Sequence, residues 1–251
     1  MVRARGEDGA YGDAGEMKYV RKTGAPHDYI NWCNRVRGTD DEDYRRLRNP
    51  ERSSLHRALL SEQGGLCAYT MRRINEKNSH IEHIKPEGLC RTDRVGSDLD
   101  YENLLACFPQ EGMNRKCRYG AQLKDDWWAN NGVDFVSPLR QDCEQRFCFD
   151  LDGEIHPVDN YQPAVETIRI LRLDHKSLTE DRKRVIREFV LGESGSDAPS
   201  QTQASRLIQA ICERGVDGHF REFCVAIRDA LKEYIKTLRK RANRRRFARR
   251  R

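Results

Sequence analysis

The chain has no run of eighteen apolar residues, so no stretch of its 251 residues is long enough to cross a bilayer as a helix. Its amino terminus has no apolar signal core, and export is not expected. It has no internal repeat. It also lacks a glycine-rich phosphate loop and a dinucleotide fingerprint, so ATP hydrolysis by this chain alone is not expected. Cysteine is present nine times, but as an odd set scattered from Cys33 to Cys224. Without a secretion signal these read as reduced thiols rather than a disulfide frame, and a cytoplasmic location follows as the expectation. With 37% apolar and 34% charged residues, the core is modest and the surface heavily charged. The length suits one large domain or two small ones.

A basic body is also missing. The net charge is +6, yet nine Lys or Arg and no acid fall between Leu238 and Arg251. The rest of the chain holds 37 bases against 40 acids, a net of −3. The basic character belongs to the tail. That tail could neutralise phosphates in a salt-dependent, sequence-blind way, or it could be the solvated end of a last helix.

The chemistry-bearing stretch is Ser79-His80-Ile81-Glu82-His83-Ile84-Lys85-Pro86, followed twenty residues later by Glu102-Asn103-Leu104-Leu105-Ala106-Cys107. The Glu82 carboxylate suits a hard divalent cation. His83 suits a general base, since imidazole titrates near neutral pH. The Asn103 amide could fix the His83 ring in one tautomer. Ile81–Ile84 and Asn103–Ala106 read as strand edges that bring these side chains to one spot. Taken alone, a Glu-His pair is weak evidence, because any surface strand can carry one.

These residues resemble the HNH endonucleases. Leu66-Cys67-Ala68-Tyr69-Thr70, Phe135-Val136-Ser137-Pro138-Leu139, Asp142–Phe147, Asp152-Gly153-Glu154-Ile155 and Ala164–Leu173 narrow the likeness to one branch. That branch is the PtuB-like nucleases of Septu anti-phage systems, also found beside certain retrons. The likeness runs from about Met17 to Leu191. It implies an α+β fold, mainly helical, around a ββα-metal hairpin–helix core, with a small additional β-hairpin. It also implies one Mg²⁺ or Mn²⁺ per site, nucleic acid (DNA first) as substrate, and an ATPase partner of the ABC/SMC class, PtuA-like. For retron-associated members it adds the reverse transcriptase and its RNA/DNA product. The helical carboxy-terminal third is the expected dock for the ATPase.

Two departures from the pattern matter. Many HNH proteins carry Cys-x-x-Cys where this chain has Cys67-Ala68-Tyr69-Thr70, and two such pairs are absent, so a structural zinc ion is not expected. No His occurs between His83 and His156 to serve as the helix-borne metal ligand. Asn114 fits that role by spacing and Asp125 by chemistry, and both stay open. Lys85, Lys124 and Arg118 are the candidate phosphate contacts. The alternative to an endonuclease is a decayed HNH fold that only binds nucleic acid or a partner.

Residues 1–16 are expected to be disordered, 17–191 to form the nuclease domain, 192–200 a linker, 201–242 the carboxy-terminal helices and 243–251 the basic tail. Helices are expected over Pro26–Arg37, Pro50–Gln63, Gly120–Trp128, Pro163–Leu173, Gln201–Glu213 and His219–Ala242, with another opened by a Ser177–Glu180 capping box. Short strands are expected at Met17–Lys22, Met71–Ile74 and Phe135-Val136. A hairpin is expected to turn at Asp152-Gly153. Glu87–Asp98 reads as a polar loop.

Overall fold

The computed structural model describes residues 17–110, 112, 117–190 and 198–248. The expected disordered extension, Asn114, most of the linker and the last three arginines lie outside the described residues. Among those described there are eight α-helices and two separate two-stranded antiparallel sheets. In chain order they are α1 (His27–Val36), α2 (Glu51–Glu62), β1 (His80–His83), α3 (Glu87–Asp93), β2 (Leu104–Cys107), α4 (Ala121–Lys124), β3 (Phe147–Phe149), β4 (Ile155–Pro157), α5 (Gln162–Leu171), α6 (Lys176–Val190), α7 (Gln201–Ala210) and α8 (Cys224–Ala248). This is a mainly helical α+β arrangement.

β1 pairs with β2 from His80↔Cys107 to His83↔Leu104. Strand alternation puts Ile81 and His83 on the covered face and His80 and Glu82 on the more open one. β2 is buried along its whole length, so its outer edge cannot rely on water for hydrogen bonds. Gln63, which ends α2, supplies what a third strand would. Its amide nitrogen donates to the Ala106 carbonyl (2.8 Å), and its amide oxygen accepts from Ala106 N (2.7 Å). Lys22 donates to the Leu104 carbonyl (2.6 Å) above the Tyr101 ring. Burial pulls the Lys22 pKa down, against the opposing pull of Glu62.

The second hairpin pairs Phe147↔Pro157 and Phe149↔Ile155. The chain between its strands is longer than the two-residue turn expected at Asp152-Gly153, because Asp150 Oδ1 accepts from both Asp152 N and Glu154 N (2.9 Å each) and rounds the loop. Gly153 is held at φ +75°, and a Cβ there would lie 2.7 Å from Lys183 N, so α6 packs directly on this turn. Arg182 of α6 is fully buried, donating to the carbonyls of Gly153 and Leu173 (2.8 Å each) over the Phe149 ring.

Several expected elements differ. The segments at Met17–Lys22 and Phe135-Val136 form no strands, and Met71–Ile74 makes only a single antiparallel bridge, Arg73 to Leu66. Their apolar residues enter the core, while their backbones bond to loops and side chains: Val20 N to Pro138 O, Ile74 N to Gly65 O and Val136 N to Thr167 Oγ1. α4 is one turn long, since Asp125 takes φ +45° and breaks it well before Trp128. Glu87–Asp98 is not a plain loop; it contains α3 and a 3-10 turn at Ser97–Leu99. The Ser177 cap does not form, because α6 starts at Lys176 and the Ser177 N–H donates to His175 Nδ1. A capping box occurs instead at Ser200–Gln203, opening α7.

α8 is buried nearly all round from Cys224 to Leu231. It ties the amino-terminal segment to the 3-10 turn Cys143–Gln145 ahead of β3 through Glu144, which pairs with Lys18 (2.8 Å) and Arg228 (3.1 Å) and accepts from Tyr19 N (3.1 Å). Burial alone would raise the Glu144 pKa, but Lys18, the Tyr19 N–H and Arg228 outweigh it, so it lies below the ordinary value. A depressed carboxyl stabilises the fold above its unfolded pKa of about 4.3, and this contribution is lost as pH falls through the folded value. Glu144→Gln is therefore expected to cost about 3 kcal/mol at neutral pH. In urea titrations the gap to the unmodified chain should narrow below about pH 4. A gap that stays constant with pH would mean the charge is not what Glu144 contributes.

Candidate active site

His83 ends β1 on its buried face and is 8% exposed. Its Nε2 lies 2.9 Å from the Asp98 carbonyl oxygen, and the ring stands edge-on to Tyr44 with centroids 4.6 Å apart. A carbonyl only accepts, so Nε2 carries the hydrogen and Nδ1 keeps the lone pair. Burial lowers the His83 pKa, which favours the neutral ring. Asp98 is itself fully buried, with Oδ2 accepting from Tyr44 N (3.0 Å), so the carbonyl that holds His83 is fixed in place.

Asn103 does not meet the ring. Its Oδ1 accepts from Lys85 N (2.8 Å), and its Nδ2 donates to the Lys85 carbonyl (2.9 Å) and Cys90 Sγ (3.3 Å). The reason is register. Ile84 N donates to Asn103 O, so the ladder continues one pair past His83↔Leu104 and brings the Asn103 amide beside Lys85. Asn103 thus clamps the chain as it leaves β1 for α3. The group that orients His83 is the Asp98 carbonyl.

On the opposite face, Glu82 Oε1 accepts from Lys124 Nζ (3.2 Å) and Oε2 lies 3.4 Å from His80 Nε2. Lys124 also donates to the His83 carbonyl (3.0 Å) and is 1% exposed. A buried ammonium of this kind is stable only beside a counter-charge, here Glu82. The Tyr69 hydroxyl is buried close to Glu82, and burial followed by the Glu82 charge pushes its pKa up. Beneath them Cys67 and Cys107 are core residues. Burial would raise the Cys67 thiol, but bonds from Cys107, Thr70 and Phe108 N bring it to about 6.

His80 meets an acceptor at each ring nitrogen. Its Nδ1 contacts the Pro109 carbonyl and its Nε2 faces the Glu82 carboxylate. Both nitrogens thus meet acceptors, whereas a neutral imidazole has a single N–H. Either the ring is doubly protonated, or a cation is shared by Nε2 and Oε2. Burial lowers the His80 pKa, but Glu82 and the Pro109 carbonyl outweigh it and the net shift is upward. An imidazole and a carboxylate facing each other make a donor pair that fits a divalent ion.

The other predicted ligands are not gathered here. Asp125 is exposed just past the end of α4, and the side chain that reaches Glu82 from this helix is its neighbour Lys124. Among the described residues Glu82 belongs to no group of three acidic, His or Cys ligands. Such groups are Asp150, Glu154 and His156 on the second hairpin, and Asp43, Glu87 and Asp98. In the latter the Arg91 guanidinium already pairs with all three carboxylates.

Of the predicted phosphate contacts, Arg118 is exposed, Lys85 is partly exposed and paired with Asp93, and Lys124 is drawn inward to Glu82. Sequence reasoning missed His80, Tyr69 and the Asp98 carbonyl. His80 had a readable signal, the i, i+2 spacing that puts it on the Glu82 face of a strand. The Asp98 contact had none, since it is made by backbone.

No protein-family profile matches the chain. Over 154 residues the chain is 28% identical to the "Retron Vc95 putative HNH endonuclease" of Vibrio cholerae serotype O1 biovar El Tor, a match covering 59% of this chain and 69% of the relative.

Proposed function

We propose that this chain is an HNH-type endonuclease that hydrolyses nucleic-acid phosphodiesters, DNA foremost, with His83 as general base. The observation that carries this reading is the division of labour on adjacent residues. His83 commits Nε2–H to the Asp98 carbonyl and keeps a lone pair on Nδ1. Glu82, next to it, has one oxygen on Lys124 and the other toward His80. Similarity to a protein named as an HNH endonuclease of a retron supports the same reaction class.

His80 and Glu82 would hold a divalent ion, Mg²⁺ or Mn²⁺, which when bound supplies positive charge against a phosphate oxygen and the leaving oxygen. Nδ1 of His83 takes the proton from the attacking water as the new P–O bond forms. In-line displacement breaks the P–O3′ bond and leaves a 5′-phosphate and a 3′-oxyanion, which takes a proton from solvent to become the 3′-hydroxyl. Lys124 keeps the Glu82 carboxylate in one orientation, and Asn103 keeps the turn after β1 in shape. Arg118 and Lys85 position the backbone phosphates, which sets register without reading sequence. The biological setting we propose is the PtuB-like branch, an anti-phage effector with an ABC/SMC-class ATPase partner and, beside a retron, the reverse transcriptase and its RNA/DNA product.

The test is cleavage of supercoiled plasmid, linear duplex and RNA by the purified chain with Mg²⁺ or Mn²⁺, alone and with the ATPase. Metal-dependent nicking that stops on chelation is expected, with DNA cut faster than RNA. No cleavage under any of these conditions would leave the binding-module reading, in which the Lys124 ammonium has taken the place of a catalytic cation beside Glu82.

A further inference from the structure

α8 outruns the fold. Its last buried side chain is Ile235, and the hydroxyl of Tyr234 bonds to the Pro199 carbonyl (3.2 Å) just ahead of α7. From Ile235 to Ala248 the helix continues for about 20 Å at 1.5 Å per residue. Arg239 to Arg244 are exposed, as is Phe247 at 71%. No acid follows Glu233 in the sequence. Lys236 pairs with Glu233, whereas among the described residues Arg239, Lys240, Arg241 and Arg244 make no ion pair.

This is costly to maintain for its own sake. Like charges at i, i+4, such as Lys240 and Arg244, each destabilise an isolated helix by about 0.2–0.5 kcal/mol. Neither core packing nor described ion pairs offset that. The arrangement becomes favourable against a polyanion, whose released counterions drive association. Lys236, Lys240 and Arg244 fall on one ridge at i, i+4 and i+8, and Phe247 follows three residues later with an exposed ring. Evenly spaced cations ending in an aromatic suit a nucleic-acid backbone with an unstacked base at its end. The remainder of the chain is net acidic, so long-range attraction to nucleic acid must come from this segment.

We propose that the projecting half of α8, from Lys236 to Ala248, is a nucleic-acid-binding arm separate from the hydrolytic site. It binds phosphate backbone without sequence preference and raises the residence of the chain on its substrate. The arm does not depend on the endonuclease reading, since binding needs neither a divalent ion nor His83.

The test uses the full chain in chelator, with anisotropy of a fluorescent duplex and a fluorescent single strand followed against salt. Its variants are the triples Arg239→Gln/Lys240→Gln/Arg244→Gln and Arg239→Glu/Lys240→Glu/Arg244→Glu, with helicity checked by circular dichroism. Loss of three contacts should flatten the slope of log affinity against log salt by about 2.7 on duplex and about 2 on single strand. Affinity at 0.1 M salt should fall on the order of 100-fold. An unchanged slope and affinity on both probes would overturn the proposal. So would a pair of triples that keep DNA binding but lose binding to polyglutamate, which would point to an acidic protein surface. Because cleavage is read separately, an inactive chain with normal wild-type binding would remove the endonuclease reading and leave the arm.

Discussion

Replacing His83 with alanine is expected to lower the cleavage rate roughly 10³-fold at saturating divalent ion, with little change in substrate affinity. General-base removal of this kind typically costs 10²–10⁴. Glutamine separates the hydrogen-bonding role of the ring from its basic role. His83→Gln keeps a side-chain N–H that can reach the Asp98 carbonyl, 2.9 Å from Nε2 in the native site. It cannot take a proton from water. It should therefore fold with near-native stability and be as slow as the alanine variant. Asn103→Ala makes the contrast, since it loosens the Lys85 turn without touching the ring. It should lose about 2 kcal/mol of stability and retain measurable turnover. Single-turnover cleavage and urea unfolding on the three variants give the answer. If His83→Gln cleaves at the native rate, His83 is not the base.

Glu82→Ala should fail twice over. It removes the oxygen that faces His80, so cleavage is lost, and it leaves the Lys124 ammonium buried at 1% exposure without its counter-charge. Breaking a buried pair from one side costs about 3–5 kcal/mol. For a chain of this size that is a fall in Tm of roughly 6–20 °C. Adding Lys124→Met to Glu82→Ala removes the stranded charge and fills its space with an unbranched side chain. The double variant should recover most of the stability and none of the activity. Thermal unfolding and plasmid nicking, measured on both single variants and the double, close the cycle. Equal stability of Glu82→Ala and the double variant would show that Lys124 does not depend on Glu82.

The parts of this fold that could be read from the residues are those set by local periodicity. α1, α2, α5 and the first half of α8 follow apolar spacing: Cys224, Ile227, Leu231 and Ile235 are buried on one stripe of α8, while Phe220 is half-buried and lies ahead of the helix, which starts at Cys224 rather than His219. The β1–β2 pairing was legible because Ile81 and Leu104–Ala106 have strand character on either side of a polar stretch. What escaped is what tertiary contacts decide. Met71–Ile74 and Phe135-Val136 have strand-like composition, yet the first pairs only through a single antiparallel bridge, Arg73 to Leu66, and the second bonds through Val136 N to the Thr167 hydroxyl. The Ser177 cap lost to a helix that already starts at Lys176. In the site, Glu82 and His83 announce themselves by residue type. The division between the two faces of β1 follows from alternation, but the choice of Lys124 over Asp125 depends on where α4 breaks, at a positive φ that the sequence does not advertise.

The group that holds the His83 ring is a peptide oxygen, and that has a bearing on how such a chain can diverge. Exchanging the side chain at position 98 leaves that acceptor in being, whereas adding or deleting a residue between α3 and β2 carries it out of reach. Homologous chains performing the same chemistry should thus keep the residue count of this connection even where its exposed positions change.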